Sequence, residues 1–131
     1  VFILDYKTGA IPPPKALGTG EALQLPLYLL ALAAERPRAG VIGGAYLSLF
    51  DKKRSGVVAA GAEWVLGSGA AGIRSLDEPG LEELSRLTVQ TAIDAAEGMR
   101  TGVIAPRADR PCPSWCPLGP ACRARRGEYR P

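Results

Sequence analysis

Apolar and polar positions alternate between two rhythms along this chain. Residues 1–9 open with the apolar run Val1, Phe2, Ile3, Leu4 and pass into Asp5, Tyr6, Lys7, Thr8 and Gly9. Read as a strand with period two, the segment sends Asp5 and Lys7 to one face and Tyr6 to the other. The prolines at 12, 13 and 14 end that strand, so a loop is expected as far as Gly20. Residues 21–36 then carry Leu and Ala on nearly every side, which predicts a buried helix. Pro26 lies inside it, so either the regular helix begins just before Pro26 or it kinks there, and both place Gln24 near the entrance.

Residues 37–40 close the helix. Residues 41–50 read as a strand, 51–56 as a polar turn and 57–66 as a second strand, together a hairpin. A small-residue connection follows at 67–72. Asp77, Glu78 and Pro79 signal a helix start with acidic residues at the positive end of the dipole. Leu81, Leu84, Leu87, Thr88, Thr91, Ala92, Ala95 and Met99 recur at three- and four-residue steps, predicting a long amphipathic helix that closes near Gly102. From Val103 the periodicity vanishes and Pro, Cys and Arg dominate, so something other than packing must order that stretch. The order strand, helix, two strands, helix, irregular tail points to an α/β or α+β domain with a helix-covered sheet.

Composition narrows this picture. The 131 residues, 47% hydrophobic, suffice for one core and are too few for two comfortable ones. The chain starts on Val and enters a core strand at once, as a piece of something longer would. No apolar run reaches the length of a membrane span and no secretion signal opens the chain, so a soluble, cytoplasmic protein is expected. The net charge of +3 says little alone, although Arg123, Arg125, Arg126 and Arg130 concentrate positive charge near the end, where a solvated tail is the simplest reading. Histidine is absent altogether, which excludes imidazole bases and ligands from this chain.

The candidate chemistry lies in three places. Asp5 beside Lys7 is a potential metal ligand next to a cation, which suits phosphodiester hydrolysis, although a strand-end Asp and Lys also form ordinary surface pairs. Gln24 and Tyr28, four apart, share a helix face, where an amide in apolar surroundings needs partners. Cys112, Cys116 and Cys122 form a C-x3-C-x5-C pattern among prolines, and the odd count argues for thiolate ligation of zinc or an iron-sulfur cluster over disulfides. A fourth ligand would be an Asp or Glu, or a cysteine outside this sequence.

The D-x-K segment at Asp5 to Lys7, the Q-x-x-x-Y segment at Gln24 to Tyr28 and the late cysteines, in that order, closely resemble the RecB/AddB-type branch of the PD-(D/E)XK nuclease superfamily. The resemblance spans nearly the whole chain. It implies a restriction-endonuclease-like α/β core, a mixed central sheet flanked by helices, over residues 1–102, followed by a cysteine-rich metal- or cluster-binding tail over 103–131. It further implies that Asp5 and the Tyr6 carbonyl bind Mg²⁺ or Mn²⁺, that Lys7 orients water or stabilises phosphate charge, that Gln24 supports the site and that Tyr28 contacts DNA. Cys112, Cys116 and Cys122 would hold a [4Fe-4S] cluster with a ligand from elsewhere. The branch also uses an acidic ligand upstream of the D-x-K strand, so this chain alone is expected to be weak or inert. DNA ends and a helicase domain or subunit are the implied partners, with no membrane. Two alternatives remain: a non-catalytic nuclease-like module that binds DNA or a partner subunit, and a zinc-binding interaction domain, against which the Gln24 segment argues.

Overall fold

The computed structural model describes residues 1–103. β1 (Phe2–Lys7) is followed by the short α1 (Pro14–Leu17), α2 (Gln24–Glu35) and a 3₁₀ turn, Pro37–Ala39. Then come β2 (Gly43–Ser48), β3 (Arg54–Ala59), a second 3₁₀ turn at Glu63–Leu66, β4 (Ile73–Leu76) and α3 (Glu78–Arg100). The four strands form one sheet in the order β1-β2-β3-β4. β1 and β2 run parallel, β2 and β3 antiparallel, and β3 and β4 parallel. The sheet is therefore mixed, and the crossover that a parallel β1–β2 pair needs is supplied by α1 and α2.

Contacts divide the chain into two units, Val1–Asp94 and Ala95–Pro131. The described part of the second is the end of α3 and the turn to Val103. Cys112, Cys116, Cys122 and the arginines after them lie outside the described residues.

In the first unit, one face of the sheet holds the core. Register places Ile3 beside Gly44 and Asp5 beside Tyr46, with Val57 opposite Gly44. Side chains on this face meet Ala16 and Leu17 of α1, Leu25 of α2 and Leu84 of α3, all buried. Gly44 makes the closest approach possible: a Cβ there would lie 3.0 Å from the Leu25 Cδ1 atom. A side chain there would press on Leu25 and on the Ile3 carbonyl, 3.1 Å away.

The order of elements departs from expectation in four places. The hairpin is present, but β3 begins at Arg54, inside the expected turn, and the stretch expected to extend it as far as residue 66 forms a crossover containing the Glu63–Leu66 turn. β4 is an additional strand of four residues with Arg74 and Ser75 at its centre, too short and too polar for an apolar pattern to reveal. α1 adds one helical turn within the expected loop, started by Pro14 at its first position. Finally, α2 is not buried all round. It seats Leu25 and Pro26 on the sheet, while Leu27 and Tyr28 are 38% and 45% exposed. A helix on one sheet face is covered along a single stripe, and all three described helices lie on the same face. The opposite face carries Phe2, Leu4 and Leu47, partly shielded by Val65 and Leu66.

α3 follows its sequence pattern closely. The Asp77 carboxylate accepts a hydrogen bond from the Gly80 N–H at 3.0 Å, the capping role its position suggests. Leu84 and Thr88 are buried against the sheet side. Among the described residues, no helix is long and apolar enough to cross a membrane.

Candidate active site

At the C-terminal end of β1, alternation brings Asp5 and Lys7 out on the helix-covered face, with Tyr6 57% exposed on the other. The Lys7 Nζ lies 3.1 Å from Asp5 Oδ2. It donates a hydrogen bond of 2.7 Å to Gln24 Oε1 and stands 5.5 Å from the centre of the Tyr46 ring. The Gln24 amide in turn donates to the Tyr28 hydroxyl at 2.8 Å. Asp5, Lys7, Gln24 and Tyr28 thus form one polar chain running from the strand end up the first turn of α2.

The helix entrance explains how Gln24 is positioned for these contacts. The N-terminal residues of a helix have N–H groups with no partner inside the helix. Leu23, at the cap position, supplies no side-chain bond. Pro26 has no N–H to satisfy, and the regular ladder starts with the Leu27 N–H donating to the Leu23 carbonyl. Of the first-turn N–H groups left over, that of Leu25 donates to the buried Tyr46 hydroxyl at 2.9 Å. A strand side chain therefore caps the helix at Leu25, the residue next to Gln24, whose side chain reaches Lys7. Burial pushes the Tyr46 phenol above its usual range, with the nearby Asp5 charge acting in the same direction against the Leu25 hydrogen bond. It stays a neutral phenol.

Tyr46 is the site residue that sequence reasoning misses. It sits in the expected strand, but only the register that pairs it with Asp5 reveals its place. Period-two alternation restricts it to one face and leaves the register open.

Asp5 has an unusual environment. Its side chain is only 15% exposed, and Oδ2 is buried without an aligned hydrogen-bond donor. The contact with Lys7 is thus one of charge and distance without hydrogen-bond alignment. A buried carboxylate oxygen left open in this way is a fit for a hard divalent cation. The backbone offers a second oxygen. The Val1 and Lys7 carbonyls both accept from the β2 side, from Ile42 and Leu49. Alternation along the strand turns the Tyr6 carbonyl to the other edge of β1, where no strand pairs with it among the described residues. One carboxylate and one carbonyl are a partial shell, and no group of three acidic, cysteine or histidine side chains gathers among the described residues. A cleft of about 140 Å³ between α2 and α3 is lined by Pro26, Leu29, Leu84 and Thr88. It is apolar, and none of the four polar residues borders it.

A family model for this fold, the PD-(D/E)XK nuclease superfamily, matches residues 1–123. The chain belongs to the PD-(D/E)XK nuclease superfamily. No curated protein and no solved structure matches it. Members of the superfamily are usually nucleases and typically use Mg²⁺ or Mn²⁺. The four-stranded mixed sheet with its helices agrees with a restriction-endonuclease-like fold. In this PD-(D/E)XK chain the polar relay occupies the end of the D-x-K strand.

Proposed function

We propose that this chain is the D-x-K half of a metal-dependent deoxyribonuclease of the RecB/AddB type, working in the cytoplasm on DNA ends beside a helicase domain or subunit. The observation that carries the proposal is the relay Asp5–Lys7–Gln24–Tyr28, because it gives each polar residue of two separate sequence motifs a partner in the other or in its own. A divalent ion at Asp5 Oδ2 and the Tyr6 carbonyl would lower the pKa of a bound water and neutralise charge on the phosphate. The second acidic ligand would come from beyond the described residues. Lys7 then places a positive charge beside the reacting phosphate and orients the attacking water. Gln24 holds the ammonium in position through its carbonyl oxygen. Tyr28, 45% exposed at the end of the relay, is available to the DNA backbone.

The spacing of Cys112, Cys116 and Cys122 supports thiolate ligation of a [4Fe-4S] cluster by the tail. The cluster would take its fourth ligand from elsewhere. Its role is structural, and no catalytic step passes through it.

The test is cleavage of linear DNA by the full-length protein with Mg²⁺ or Mn²⁺. Wild type is expected to cut, and Lys7→Ala to lose at least about a hundredfold in rate while retaining its fold and DNA binding. Retained cleavage in Lys7→Ala overturns the assignment, and an inert wild type that still binds DNA favours the non-catalytic module. Anaerobic purification of the same protein should yield brown material with visible absorption; colourless protein with stoichiometric zinc removes the cluster.

A further inference from the structure

The β2–β3 hairpin emerges beside the candidate site. β1 and β2 run in the same direction, and Lys7 is in register with Ser48, the last residue of β2. The next residue, Leu49, donates its N–H to the Lys7 carbonyl at 2.9 Å. The hairpin tip at 49–53 therefore starts one hydrogen bond away from the catalytic lysine, at the same end of the sheet.

This tip is built, and its outermost side chains are left out in solvent. Ser48 N–H donates to the Lys53 carbonyl at 2.9 Å and closes the turn. Asp51 accepts from the Lys53 N–H at 3.2 Å and pairs with the Lys53 ammonium at 3.0 Å. Its carboxyl is pulled down to about 2, first by the Ser48 side chain and then by Lys53. Lys52 takes a left-handed conformation, φ 57°, which the turn requires and which is uncommon for a residue with a side chain. Its ammonium enters no ion pair or hydrogen bond among the described residues. Phe50 is 86% exposed, the most exposed large apolar side chain described. It has no core to serve.

An exposed aromatic ring two residues from a cation that has no partner among the described residues suits single-stranded nucleic acid, in which bases are free to stack and phosphates follow at regular intervals. Trp64, 77% exposed, does not compete for this role, because it sits on the crossover that covers the opposite face of the sheet. We propose that the hairpin tip is a strand-guiding contact: Phe50 stacks on an unpaired base next to the scissile phosphate, and Lys52 binds a neighbouring phosphate. The inference rests on the nuclease reading of Asp5 and Lys7 and adds to it the substrate feature that the site selects, an unpaired end.

The test uses the full-length protein and an oligonucleotide with a single-stranded end carrying 2-aminopurine at successive positions. Stacking on Phe50 is expected to quench one or two positions nearest the cut. Phe50→Ala should abolish that quenching and raise the KM for this substrate about five- to hundredfold, with kcat changed less than about threefold. Phe50→Trp should restore both. Lys52→Asn keeps a residue tolerated at positive φ and removes the charge, so the slope of log affinity against log salt should become shallower by about 0.7. Unchanged quenching and KM in Phe50→Ala, in a wild type that cuts, overturn the hairpin contact and leave the nuclease reading standing. A wild type that neither cuts nor binds the oligonucleotide refutes the nuclease reading instead. Thermal melting of all three variants guards against misfolding, which the exposure of Phe50 makes an unexpected outcome.

Discussion

Tyr46 shows how one side chain can serve both stability and the site. Its ring lies under the Lys7 ammonium, and its hydroxyl takes the N–H of Leu25 that α2 itself cannot satisfy. Tyr46→Phe keeps the ring and removes only the acceptor. The Leu25 N–H is then buried without a partner, a loss of about 1–2 kcal/mol that urea unfolding would register. The larger effect should be positional. Gln24 precedes Leu25, so loosening the helix entrance lengthens the Gln24–Lys7 contact and lowers kcat while leaving DNA affinity close to wild type. A Tyr46→Phe protein with wild-type stability and kcat would show that the cap is idle. The same residue marks the limit of what was legible in the sequence. Asp5, Lys7, Gln24 and Tyr28 announce themselves by spacing within one element, whereas Tyr46 matters only through the pairing of two strands distant in sequence.

At the scale of elements, the parts with strong periodicity emerged close to where the pattern placed them: β1, the entrance of α2 at Gln24 just before Pro26, the first strand of the hairpin and α3. The misses share a cause. β4 has only four residues and α1 only four, so neither spans enough of its period to stand out from a loop. The burial of α2 was overstated because composition reports how apolar a helix is and says nothing of how many neighbours cover it. The hairpin tip makes a prediction of its own. Asp51 falls to about 2 in the folded chain from an ordinary value of 3.8, so its contribution to the turn is complete above about pH 4 and is lost as pH drops through about 2. The Lys53 amide resonance should therefore hold its position from neutral pH to about pH 3 and shift only below that. A midpoint near 4 would mean that the Ser48 and Lys53 contacts do not persist in solution.

Across the whole molecule, stability and function draw on different residues of the same sheet. The core of the first unit is made by Leu17, Leu25, Val57 and Leu84 with Tyr46, and Asp5 adds little to it. Its Oδ2 atom is buried without an aligned donor, and Lys7 already has a good partner in Gln24. Removing one charge from a buried pair is usually costly, but here the remaining ammonium keeps a hydrogen bond, and the Lys7 side chain is 29% exposed to water. Asp5→Asn should therefore leave the metal-free protein within about 1 kcal/mol of wild type, as is common where a site residue is retained for chemistry at the expense of local fit. A ligand that binds only the folded form raises its melting temperature. Mn²⁺ should accordingly stabilise the full-length wild type in a concentration-dependent way and have no such effect on Asp5→Asn, whose cleavage should also be lost. Melting curves with and without Mn²⁺ decide the matter. If Asp5→Asn is strongly destabilised without metal, the carboxylate is structural; if Mn²⁺ still stabilises it, the ion binds elsewhere and the open Oδ2 atom needs another explanation.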